Sequence, residues 1–143
     1  MLMTRPRLYK TEGVVLRSVP VGEADRIITL YTCDRGKLRV SARGVRRGRS
    51  KLGGHLDVLN RVSISLARGR SLDVITGADS LESFRQLKSN LDYLAYGLYV
   101  VELVDAISPQ EAPNYPLFAL TLDVLHLLGT FVNPRPVLHA FEL

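Results

Sequence analysis

Along the first half of the chain, apolar and polar residues alternate; in the second half apolar residues recur at helical spacing. From Gly36 to Gly44, Leu38, Val40 and Ala42 alternate with Lys37, Arg39, Ser41 and Arg43. A period of two sends these sets to opposite faces and predicts a half-buried strand. Similar runs occupy Lys10 to Arg17, with Val14 and Leu16 inward, and Arg26 to Cys33. Two more lie at Val58 to Leu66, with Val62, Ile64 and Leu66 in phase, and at Leu72 to Thr76. Turn residues separate them: Pro20 and Gly22, then Asp34, Arg35 and Gly36, then Arg68, Gly69 and Arg70. The stretch from Gly44 to Gly54 is a longer loop with room for a short helical turn. Five short strands, with the longest connection after the third, suit a small closed barrel of the OB type over residues 1–79. A sandwich fragment is the alternative.

Asp79 is a candidate helix N-cap, with Glu82 at capping-box spacing, so residues 80–143 are expected to form a helical domain and the whole an α+β fold. Asn90 to Ile107 carries one stripe at Leu91, Leu94, Leu98 and Val101 and another at Tyr93, Tyr96, Val100, Leu103 and Ile107, which predicts a buried helix. After Pro109, Pro113 and Pro116, a further helix is expected from about Leu117 to Leu128, ended by Gly129. A last one can start at Pro134 to Pro136 and run through Phe141, but no capping residue follows it, so the helical part reads as truncated. Helices this apolar need further helices, a second copy of the chain or a partner protein to cover them.

Charge is divided unevenly. The net charge is +5, with +9 in residues 1–80 and −4 in residues 81–143, which points any polyanion site to the first half. Cys33 is the single cysteine, so a disulfide framework or thiolate zinc site is not expected, and a reducing compartment fits best. No secretory signal or apolar stretch of about 20 residues is present, so a cytoplasmic protein without membrane contact is expected.

The densest candidate site is Lys37, Arg39, Arg43, Arg46, Arg47, Arg49 and Lys51, a run of cations without a carboxylate between them. Arginine suits phosphate because its planar fork donates two hydrogen bonds and stacks on bases. The run divides into a row on the third strand, Lys37, Arg39 and Arg43, and a flexible arm, Arg46, Arg47, Arg49 and Lys51. Arg68 and Arg70 add charge in the last barrel turn, where OB barrels also contact oligonucleotides. Seven single-strand phosphate contacts would give a salt slope of roughly −5. A solvated basic loop or an address signal is the plainer reading of the same run. Aromatic platforms are few; Tyr31, placed outward by Ile28 and Leu30, could stack a base, although an edge-packed tyrosine is the favoured explanation.

Other chemistry finds little support. Glu23 and Asp25 lack a third acidic or histidine partner nearby and read as turn residues or a partner for Arg26. The order Ser50 then Lys51 does not fit a phosphate-binding loop. His55, His126 and His139 are scattered, and His126 is expected as a hydrogen-bonded core residue, so no metal site, cofactor or catalytic residue is expected.

Glu12-Gly13-Val14-Val15-Leu16, Gly22-Glu23-Ala24-Asp25-Arg26-Ile27-Ile28, Thr32, Gly36-Lys37, Ala42-Arg43-Gly44-Val45-Arg46-Arg47 and Ser50-Lys51 follow one another in an order that resembles the N-terminal domain of the RecO family of recombination mediators. Leu56-Asp57-Val58-Leu59, Arg70-Ser71-Leu72 and Tyr99-Val100-Val101-Glu102-Leu103 extend the likeness. The resemblance implies an OB fold that binds single- and double-stranded DNA, anneals complementary strands and helps load recombinase onto DNA coated with single-strand binding protein. It further implies RecR as a partner, contact with the tail of single-strand binding protein through the helical domain, and a nucleoid-associated place in the cytoplasm. Many family members carry a Cys-rich zinc motif beyond the region matching this chain. An RNA-binding OB module and a protein-interaction scaffold with incidental charge are the competing readings, and an enzyme fits least.

Overall fold

The computed structural model describes residues 7–48 and 52–130. Its strands are β1 (Leu8–Val21), β2 (Asp25–Thr32), β3 (Gly36–Ala42), β4 (Arg61–Ala67) and β5 (Asp73–Glu82). They close into a barrel in the order β1-β2-β3-β5-β4, with β1 also paired to β4. Pairings between these strands are antiparallel except the short β3–β5 contact at Val40↔Asp73 and Ser41↔Val74. A 3-10 turn at Gly53–Leu56 lies between β3 and β4. After it the backbone turns at Leu59, with φ 81°, so β4 starts later than the Val58 expected from sequence.

Two apolar cores share the strands. Val15, Ile28, Leu30, Leu38, Val40, Val62, Ile64 and Leu66 fill the barrel. Val14, Leu16 and Tyr31 instead join Leu87, Val100, Val104, Phe118 and Leu125 beneath the helices. The middle of β1 is thus buried on both faces, and Val14 and Leu16, expected inside the barrel, pack outside it. An irregularity between Val15 and Arg17 carries the strand from one pairing to the next.

Asp79 caps no helix: it pairs with Ser63 inside β5, and Glu82 ends that strand opposite Arg61. Ladder hydrogen bonds to β4 outweigh the local capping signal. The helices are α1 (Arg85–Lys88), α2 (Leu91–Ile107) and α3 (Tyr115–Leu128). Asn90 caps α2 by accepting from the amides of Asp92 and Tyr93, and Asn114 caps α3 by accepting from Leu117. Gly129 stands at the C-cap of α3. The helix anticipated after Pro134 lies outside the described residues.

α2 is less enclosed than its composition suggests, with Leu91 81% and Ile107 57% exposed. Helices and barrel meet tightly elsewhere. The Glu111 amide donates to the Lys37 carbonyl at 2.9 Å, and Gly36, at φ +70°, sits where a β-carbon would come within 2.5 Å of the Ala112 backbone. Only glycine fits there. Arg61 bonds both Glu12 and Glu82, and His126 Nε2 on α3 lies 2.5 Å from Glu82. His126 is therefore a half-exposed barrel-to-helix tie, not the core residue expected. No described helix is long and apolar enough to cross a membrane.

Candidate nucleic-acid interface

In β3, Leu38, Val40 and Ala42 point into the barrel, so Lys37, Arg39 and Ser41 lie on its outer face, as the alternation predicts. Cross-strand register then divides that face. The first row is Val14, Tyr31 and Lys37, and α2 and α3 cover it. The next is Arg17, Thr29 and Arg39, with both arginines exposed. Beyond it come Val19, Ile27 and Ser41.

This division corrects two expectations. Lys37 is only 12% exposed at its side chain, and its Nζ donates to the Asp105 carbonyl oxygen at 2.7 Å and carboxylate at 3.1 Å. It anchors α2 and is not offered to a phosphate. Tyr31 is 1% exposed, with its ring centroid 6.4 Å from that of Phe118 and its hydroxyl 3.5 Å from the Asn114 carbonyl. Burial pushes its phenol up. Tyr31 does face outward, but helices rather than bases cover it.

The turn leaving β3 is built by its glycine and by Asp25. Gly44 adopts φ +66°, and its amide donates to the Asp25 carboxylate at 2.7 Å. Asp25 is thus the turn residue expected, while Arg26 donates to the Ser18 hydroxyl at 3.1 Å. Arg43, Arg46 and Arg47 are all exposed on this turn. Arg46 is held at both ends: its amide donates to Ala24 at 2.9 Å and its Nη1 to the Gly22 carbonyl at 3.0 Å. The arm is therefore fixed at its root, contrary to its expected flexibility throughout. Arg49 and Lys51 lie outside the described residues.

Arg68 and Arg70 separate from one another. Arg70 is exposed. Arg68 sits 4.3 Å from the Tyr9 ring centroid, as does Arg35, and 3.7 Å from the Asp73 carboxylate. The Tyr9 hydroxyl donates to Asp73, and its pKa is pushed up to about 12, first by burial and then by the Asp73 bond and charge, against the pull of Arg68 and Arg35. This cluster staples the start of β1 to the β4–β5 turn, so Arg68 is engaged locally.

Arg17 is the residue that sequence reasoning missed. It comes into line with Arg39 only because the irregularity after Val15 resets the register. The open surface thus combines Arg17, Arg39, Arg43, Arg46 and Arg47. A row of exposed guanidinium groups from three chain segments can bind a phosphate backbone through charge and paired hydrogen bonds. Among the described residues, no group of His, Cys, Asp and Glu could hold a metal ion.

The family described as recombination protein O N terminal matches residues 3–84, and that described as recombination protein O C terminal matches residues 88–143. A DNA repair protein RecO of Dehalococcoides mccartyi (strain CBDB1) is 40% identical over 141 residues, 99% of this chain and 56% of that protein. Those of Pelotomaculum thermopropionicum and Trichodesmium erythraeum are 40% and 45% identical, over 96% and 80% of this chain and 53% and 40% of theirs. The chain spans about half the length of such relatives.

Proposed function

The chain belongs to the RecO family, and from that premise we propose that it is a non-enzymatic DNA-binding part of a recombination mediator. In this reading the barrel is an OB fold, which the strand order and the single parallel contact between β3 and β5 support. The observation that carries the reading is the exposed alignment of Arg17 and Arg39 beside Arg43, Arg46 and Arg47. The track grips the sugar-phosphate backbone of single- and double-stranded DNA with weak sequence preference, since phosphate contacts position without reading bases. Bringing complementary strands to one cationic surface screens their mutual repulsion and favours annealing. Recombinase loading, with RecR and the tail of single-strand binding protein as partners, extends the proposal to the exposed apolar side chains of α2 and α3. Those same side chains also suit self-association. Function close to the nucleoid in the cytoplasm follows from the DNA reading, and no cofactor is required.

The test is annealing of complementary strands coated with single-strand binding protein, together with oligonucleotide binding across salt. Replacing Arg43, Arg46 and Arg47 with Ala should shrink the salt slope by about 2, at roughly 0.7 per single-strand contact, and slow annealing. Unchanged affinity and slope would remove this surface from the DNA contact.

A further inference from the structure

We infer that the cavity at the mouth of the barrel is a socket for one unstacked nucleobase of the strand held on the arginine track, an inference that rests on the DNA-binding reading above. The cavity measures about 520 Å³, inside the range of roughly 300–1,000 Å³ typical of small-ligand sites. It opens where β1 turns into β2 and where the chain leaves β3. Arg26 pairs in register with Ala42, a barrel-core residue, so its side chain enters from the mouth. The Ser18 hydroxyl accepts from Arg26 beside it.

The walls offer both kinds of contact that a base needs. Val45, Leu56 and Val58 supply apolar surface, while Arg26, Arg46 and Ser18 supply donors and Asp57 a carboxylate acceptor. A nucleobase edge carries donors and acceptors side by side and matches this mixture. A simple anion would meet the Asp57 charge, and a purely apolar ligand would desolvate the Arg26 guanidinium without compensation. Position identifies the source of the base. Arg46 lines the cavity and also belongs to the track, so a phosphate held at Arg43, Arg46 or Arg47 leaves its own base at the opening. A base enters only after leaving its stack and its partner, which costs least in an unpaired strand. The socket thus gives single-strand preference to a surface whose one candidate aromatic, Tyr31, is buried.

The experiment compares binding of a mixed-sequence oligonucleotide with that of an all-abasic deoxyribose-phosphate chain of equal length, by wild type, Gly53→Leu and Asp57→Asn. Gly53 lines the cavity, and among the described residues a β-carbon there comes nearest to Val45, 3.4 Å from its carbonyl oxygen and 3.9 Å from its side chain, so Gly53→Leu sets a bulky apolar side chain at the cavity wall. Wild type should prefer the base-bearing strand by about tenfold, the ratio set by one charge-assisted hydrogen bond. Gly53→Leu should abolish that preference at unchanged salt slope, and Asp57→Asn should weaken it with the fold intact. Equal wild-type affinity for both strands, or full preference retained in both variants, would overturn the socket. Wild-type binding without salt dependence would instead overturn the DNA track itself.

Discussion

The outer face of the barrel has two halves with opposite fates. Lys37 and Arg39 stand two residues apart on the same side of β3, yet Lys37 is tied to Asp105 under α2 while Arg39 is exposed beside Arg17. Tyr31, in register with Lys37, packs on Phe118, whereas Thr29, in register with Arg39, is buried between two exposed arginines, Arg17 and Arg39. Alternation decides which face a side chain occupies; what covers that face depends on elements distant in sequence. The covered half is a joint between barrel and helices, and the open half is the surface proposed to bind DNA.

Breaking the covered half should affect folding far more than binding. Tyr31→Ala should destabilise by about 3–5 kcal/mol, as for other large buried aromatics, measured by denaturant unfolding. Lys37→Ala should cost about 1–3 kcal/mol by leaving Asp105 without its charged donor, and should leave the salt slope of the folded protein unchanged. A fall in slope equal to that of an open-face arginine would return Lys37 to the DNA contact.

The seam at Glu82 sharpens the comparison through pH. Burial raises the Glu82 pKa, but hydrogen bonds and charges from His126 and Arg61 outweigh it and hold the carboxyl below its ordinary value. Such a group contributes stability above its unfolded pKa and loses it as pH falls through the lowered folded value. Glu82→Gln should therefore cost about 1 kcal/mol at neutral pH, and the gap to wild type should close in acid unfolding curves. The smallest stability effects belong to the open half: Arg17→Ala and Arg39→Ala should each change stability by under about 0.5 kcal/mol. Each should reduce the single-strand salt slope by about 0.7 if its guanidinium meets a phosphate.

Strand β3 was readable from sequence because one of its faces meets a single apolar core, leaving clean alternation over Gly36–Ala42. The Asn90–Ile107 helix was readable because its cap and apolar stripes are local. Val14 and Leu16 were misplaced because β1 serves two cores and loses the period that tells inside from outside. Asp79 and Glu82 mimic a helix start, but their partners Ser63 and Arg61 lie in β4 and outweigh the local signal. For the site, Arg39, Arg43, Arg46 and Arg47 stood out as a dense run of charge. Arg17 did not, since its alignment depends on an irregularity in pairing that no spacing rule reveals.

The sharing of β1 between two cores also sets the unit of cooperativity. All five strands are complete by Glu82, yet a chain ending there would keep its barrel ladder while leaving Val14, Leu16 and Tyr31 open to water. The line drawn by strand and helix is thus not a line of independent folding: barrel and helices should melt in one transition, and an isolated barrel should associate through the stripe it uncovers.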